Sequence, residues 1–291
     1  MFIDSVSRSI LSILIAFPLF IAFVLFLLPE NKQNHSKLHR YVAITGVLIE
    51  FVLSLHLVRY FVARSSDFQF AELFRWFPKS MGINYIVGVD GLSLSLVILS
   101  TAISVIVLLT GISTIKQRLK LFLVLFFILE STLIGVFTSL DVFLFYFFWE
   151  ASLIPLYFMI GVWGGKERFY ATLKFFVYGV AGSLFMLVVL IYLYVQTGVV
   201  FHNYSSSLLD IYRVAATLPQ STQNLFFVAL FIAFGIKFPI FPFYTWLPDT
   251  YEQSPSVYVM MSGVVLKLAS YGLIRFALCM FPLSANYFAT P

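Results

Sequence analysis

Apolar residues in this chain come in long unbroken runs, not in strict alternation. Eight runs have membrane-spanning length, at about 9–29, 41–63, 90–112, 119–138, 141–162, 171–196, 224–246 and 256–281. A helical crossing of the hydrocarbon core takes about 20 mostly apolar residues. Lipid offers no partners to backbone groups, so a spanning segment must be a helix or part of a closed barrel. The runs lack the dyad alternation of barrel strands. They therefore predict an all-α, polytopic bundle of about eight spans, although their many phenylalanines would suit strands in water.

Three stretches depart from this pattern. Residues 64–88 are predicted to form a longer loop lying at the interface, with Phe68, Phe70, Phe74 and Trp76 as anchors. Residues 197–223 are the most polar segment, where Leu208, Leu209 and Ile211 suggest a short amphipathic piece. Residues 239–255 hold Pro239, Pro242, Pro248 and Pro255. Proline removes a helical donor and clashes one turn back, so the seventh span is predicted to be broken between about 239 and 248.

Composition sharpens the class. Hydrophobic types make up 61% of the 291 residues and charged types 11%, against about 45–50% and 25% in soluble domains. The net charge of +5 could suggest nucleic acid, but the basic residues sit in short loops between apolar runs. Lys32, Lys37 and Arg40, then Lys116, Arg118 and Lys120, then Lys166, Arg168 and Lys174 follow the first, third and fifth spans. Arg8, Arg64, Arg75, Lys79 and Arg213 are thinly spread over the opposite side. The first set should face the cytoplasm or matrix, with both termini opposite. No small-residue cleavage site follows the first run, which reads as a retained span. The single cysteine, Cys279, excludes an intrachain disulfide and a Cys-cluster metal site and reads as a small buried hydrophobe.

Four ionisable residues lie deep within spans: Glu130 in LVLFFILESTLIGVF, Glu150 in FLFYFFWEASLIPLYF, Lys237 in LFFVALFIAFGIKFPIFPF and Lys267 in VMMSGVVLKLASYGLIRF. At 1.5 Å per residue each sits about 15–20 Å into its helix, near the midplane. Charge there is costly and marks ion pathways, although it also serves as glue between helices. Acid and base at one depth suit proton movement within the membrane. Pro155 frees a carbonyl beside Glu150, and Pro239 should end the Lys237 helix so that its negative dipole end meets the ammonium. Gly263 and Ser270 share the face of Lys267. Glu50, in the second span, reads as a packing or interfacial residue. His35 and His39 have a metal-ligand spacing but no third ligand. His56 is the lone histidine within a span, which excludes paired-histidine haem ligation in this chain, and no phosphate-binding glycine motif appears.

The segments GVDGLSL (88–94), GVFTSLDVFLFYFFWEASLIPLYFMIGVWGG (135–165), KFFVYGVAGSLFMLVVLIYLY (174–194), FGIKFPIFPFYTWLPD (234–249) and GVVLKLASYGLIRF (263–276) carry a resemblance. The chain resembles the antiporter-like membrane subunits of NADH:quinone oxidoreductase (complex I), chain 4 in mitochondria and chain M in bacteria. The resemblance implies that Glu150 is the family's essential glutamate, Lys237 the broken-helix lysine, Lys267 the central connecting lysine, and Glu130 a further glutamate often present. It implies proton translocation driven by quinone reduction elsewhere in the complex. It implies no cofactor in this chain, with NAD, FMN, iron–sulfur clusters and quinone in other subunits. The implied setting is the bacterial cell membrane or mitochondrial inner membrane. The implied partners are lipid and other membrane-arm subunits, neighbouring antiporter-like ones among them, and no nucleic acid. Residues 1–112 would be N-terminal spans with the interfacial loop, and 113–291 the first five-span repeat. The second inverted repeat would be absent, or carried by a separate chain. Tyr251 stands where the family has a histidine. A sodium/proton antiporter subunit on the same fold and a truncated, non-pumping paralogue remain alternatives.

The charge asymmetry predicts that a single cysteine placed at Ser36, with Cys279 replaced, is labelled only from the cytoplasmic or matrix face of sealed vesicles. Labelling from the other face would reverse the topology.

Overall fold

Six helices among the described residues are long and apolar enough to cross a membrane, or seven if one bent pair counts as a span. The computed structural model describes residues 9–29, 33–65 and 67–289, with backbone alone for 33–36 and 256–261. Arg8, Lys32 and the side chains of His35 and Ser36 lie outside the described residues. The first five spans are α1 (Ile10–Leu27), α2 (Gln33–Tyr60), α3 (Gly91–Thr114), α4 (Leu119–Thr138) and the pair α5 (Val142–Ala151) and α6 (Leu153–Trp163). The long α7 (Arg168–Phe201) follows, then the short amphipathic α8 (Leu208–Thr217), which buries Leu208, Ile211 and Val214 and exposes Leu209.

The seventh expected run does not cross as one helix. Helix α9 (Gln220–Lys237) stops at Lys237, a 3-10 turn occupies Phe243–Thr245, and α10 (Trp246–Gln253) resumes. The break therefore ends at Trp246, earlier than 248, because Pro248 falls in the first turn of α10, where no amide donor is needed. Helix α11 (Ser256–Gly272) runs into a π-helical segment, Leu273–Leu278, and a bend of 105° separates it from α12 (Pro282–Ala289). Cys279, expected to be buried, is exposed beside this bend.

Helix α4 is the centre of the bundle. Every residue from Leu129 to Thr138 is buried, as befits a helix apolar all round. It packs on α1, α3, α5, α6 and α11. At Gly135 an added Cβ would lie 2.5 Å from the Phe148 ring, so the glycine lets α5 approach closely. The outer faces carry exposed Phe20, Phe23, Val52, Phe169 and Val188, which suit contact with lipid chains.

The 64–88 segment is not a loop. It folds into an antiparallel hairpin of β1 (Gln69–Phe74) and β2 (Tyr85–Val89), paired from Gln69↔Val89 to Phe74↔Tyr85. Glu72 is buried and accepts from the Leu11 amide at 2.8 Å and from Ser12. It thus satisfies orphan donors at the start of α1. Asp141, one residue outside the α5 span, caps that helix through the Phe143 and Leu144 amides at 2.9 and 3.1 Å. Its other oxygen accepts from the Asn84 amide at 3.2 Å and the Ser206 hydroxyl. Burial pushes the Asp141 carboxyl up to about 6 against the pull of these donors. The hairpin, the start of α5 and the segment before α8 are thereby knitted into one layer at one end of the bundle.

A second clamp joins this layer to the π-helical segment. Arg275 is buried, pairs with Asp90 at 2.6 Å, and reaches the Ser93 hydroxyl at 3.3 Å. Asp90 also caps α3 through the Ser93 amide at 2.9 Å. The Tyr212 hydroxyl donates to the Arg275 carbonyl at 2.7 Å, and the Arg275 guanidinium stacks over Phe68 and Tyr271. Removing one partner of a buried pair strands the other charge and typically costs about 3–5 kcal/mol. Arg275→Gln should lower the stability of the purified protein by about 3 kcal/mol, read as a drop in Tm in detergent. Asp90→Asn added to it should recover part of the loss, and a single variant as stable as the parent would show that the clamp carries no load.

Candidate functional site

Proline decides the local geometry of the site twice. Pro155 cannot donate to the Ala151 carbonyl, and the fifth span is interrupted at Ser152, between α5 and α6. Pro239 ends α9, whose last carbonyls find other donors. Phe238 N bonds Phe234 O at 2.8 Å, Ile240 N bonds Gly235 O at 3.0 Å, and the Trp246 indole donates to Ile236 O at 2.8 Å. Two helix breaks therefore face each other in the bundle, each next to an ionisable residue.

Lys237 is only 4% exposed and sits in the last turn of α9, where the helix dipole favours a cation. Its ammonium lies 3.9 Å from the centre of the Trp149 ring and 3.4 Å from the Ser152 hydroxyl. The negative end of the helix dipole meets the ammonium as expected, but Trp246 has taken the Ile236 carbonyl there, and an aromatic face and a hydroxyl hold the ammonium. The Trp149 ring is set edge-on against Phe234, 5.4 Å between centroids, so it cannot swing away freely. Glu150 is half-buried, with Oε1 buried and without a hydrogen-bond partner. It interacts electrostatically with Lys237 and faces Ser183 on α7. Among the described residues no contact ion pair joins Glu150 to Lys237. The two groups thus lie near each other without being locked in a contact pair.

The other two expected residues lie elsewhere. Glu130 is fully buried in α4. Lys267, expected to be buried, is exposed. Helix α11 buries Val264, Leu268 and Tyr271, while Gly263, Lys267, Ser270 and Ile274 form a stripe on the adjoining face. An added Cβ at Gly263 would meet nothing within 4 Å, so this chain leaves the stripe uncovered. Tyr251, in the histidine position, is hydrogen-bonded by the Ser262 hydroxyl at 2.7 Å. Sequence reasoning passed over Trp149, Ser152, Asp90 and Arg275. All four lie inside the quoted motifs, and Trp149 and Ser152 flank Glu150, which was the available signal.

The family model described as NADH:quinone oxidoreductase/Mrp antiporter, transmembrane, matches residues 139–290, just over half of the chain. The chain is 39% identical over 282 residues to NADH-quinone oxidoreductase subunit M of Rickettsia prowazekii, covering 96% of this chain and 56% of the relative. It is 38% identical over 281 residues to NADH-ubiquinone oxidoreductase chain 4 of Marchantia polymorpha, covering 96% of this chain and 54% of the relative. The chain thus spans about half the length of the curated relatives it matches. A chain of respiratory complex I from Thermus thermophilus with bound NADH superposes with a TM-score of 0.77 at 24% identity, over 95% of this chain and 54% of that one. At that identity the likeness speaks for the fold alone. Fold, apolar spans and matched region agree: this is an integral membrane protein, and the chain belongs to the NADH:quinone oxidoreductase/Mrp antiporter family.

Proposed function

We propose that the chain moves protons as part of a membrane-arm subunit of NADH:quinone oxidoreductase, powered by quinone reduction in other subunits. The observation that carries the reading is the buried Lys237 ammonium, held by Trp149 and Ser152 at a helix break with the unpartnered Glu150 carboxylate oxygen nearby. An unpaired charge in the membrane interior is costly. A charged Glu150 stabilises a charged Lys237; neutralising one leaves the other isolated, so the two exchange protons as a coupled pair. Lys267 is the next station, on the uncovered stripe of α11, and Glu130 a further acid in the bundle core. The stripe suits coverage by another membrane segment, because an ammonium facing lipid at mid-helix is costly. That segment fits the second repeat on the same or a separate polypeptide, with neighbouring antiporter-like subunits beyond it. NAD, FMN, iron–sulfur clusters and quinone belong to other subunits in this reading. Residues 1–112 would support the half-channel formed by 113–291.

A sodium/proton antiporter subunit is the second reading, because the family model spans both groups. The names of the relatives that cover nearly the whole chain favour the first. Proton uptake per electron pair in vesicles carrying the assembled complex tests it. Glu150→Gln should abolish pumping and Lys237→Ala nearly so, while Lys267→Arg, which keeps the charge, should do less harm. Assembled Glu150→Gln and Lys237→Ala complexes that pump normally would leave a structural, non-pumping role.

A further inference from the structure

The sequence marks Glu50 as a packing or interfacial residue; it is fully buried, and neither carboxylate oxygen has a hydrogen-bond partner. The same holds for Glu130 on the neighbouring α4, and the two lie close enough to act on each other electrostatically. A third orphan joins them from a third helix. The Ser104 hydroxyl on α3 is fully buried, stands beside Glu130, and makes no hydrogen bond of ordinary geometry. Its neighbours on α3 behave differently: Ser95, Ser100 and Thr110 each donate to the carbonyl four residues back. One turn away, Ser54 on α2 and Thr101 on α3 bond at 2.7 Å, so the α2–α3 seam is a polar track that ends at the two acids.

Among the described residues no cation forms an ion pair with these acids. Helices α1 and α3 contain no ionisable side chain in their described spans. The basic residues of α2 lie toward its ends, and the Lys120 ammonium at the start of α4 bonds the Leu28 carbonyl at 2.7 Å. The ionisable groups on other elements packed against α4 are engaged elsewhere or turned outward. Glu150 interacts with Lys237, and Tyr146 lies near Glu150 and Ser183. Tyr271 donates to the Phe137 carbonyl, Tyr85 meets Ser12, and Lys267 is exposed. Two buried, unpartnered carboxylates on neighbouring helices, without a counter-charge, cannot both ionise.

We propose that Glu50 and Glu130 are an electrostatically coupled pair of proton-holding carboxylic acids, with the buried Ser104 hydroxyl beside Glu130 as the third member of the site. It is a proton-holding site distinct from Lys237 and Glu150. One carboxyl holds the proton while the other acts on it through space, and the Ser104 hydroxyl stands beside Glu130. Taking up the shared proton from bulk forms one O–H bond and adds one positive charge; release reverses both. The site does not depend on the pumping role and is tested without turnover.

The test is infrared pH titration of the full chain in lipid nanodiscs, in H2O and D2O. The parent should show a carboxylic-acid C=O band that shifts in D2O and persists well above the ordinary glutamate range. Glu50→Gln should move the midpoint of the remaining Glu130 band by about one pH unit or more, the mark of coupled sites. The double Glu50→Gln, Glu130→Gln variant should lose the band, and Ser104→Ala should shift its frequency. A Glu130 midpoint unchanged by Glu50→Gln would overturn the pairing. Absence of the band from the parent, a measurement that needs no variant, would show both acids ionised and also overturn it. A midpoint that moves with sodium but not potassium concentration would make the pair a metal-cation site and overturn the proton assignment.

Discussion

The membrane interior provides no hydrogen-bond partner and no counter-charge, so every helix break and every ionised group must be satisfied by the chain itself. The break at Pro239 shows how this constraint shapes the protein. Ending α9 there exposes carbonyls that only protein groups can meet, and Trp246 is folded back so that its indole meets one of them. That fold-back sets the path of the 3-10 turn and α10. It also leaves the Lys237 side chain pointing at α5, where Trp149 and Ser152 receive it. The break is thus the device that brings a cation into the core and keeps it there.

The site is held from one end of the bundle. Asp141 caps α5 and ties it to Asn84 of the hairpin and Ser206, while Glu72 of the same hairpin seals the start of α1. Arg275 fastens the end of the α11 segment to Asp90 at the head of α3. Glu150 lies nine residues below the Asp141 cap, so the register of that cap sets its depth. Rigid ends and an interrupted middle suit a site whose two charges must be close, yet not locked in a contact pair.

Much of this was legible because lipid leaves few alternatives. Unbroken apolar runs gave the first six spans nearly to their boundaries, and clustered prolines announced the break beside Lys237. The hairpin was missed because its strands are short, Gln69–Phe74 buries only one residue fully, and its aromatics matched an interfacial loop equally well. The exposure of Lys267 was illegible for another reason. Depth along a helix is read from sequence position, but which face meets a neighbour depends on packing, and Val264, Leu268 and Tyr271 claimed the core face. The same limit hid Glu50. Its partner Glu130 is eighty residues away, and only the α2–α3–α4 packing joins them.

In the proposed site the charge on Lys237 answers to Glu150. Nitrogen-15 NMR of the lysine Nζ in the membrane-embedded protein, assigned by loss of the signal in Lys237→Arg, reads that charge directly. A titration midpoint for Lys237 that moves by about one pH unit or more when Glu150 becomes glutamine is the expected result. An identical midpoint in the two proteins would contradict the coupling.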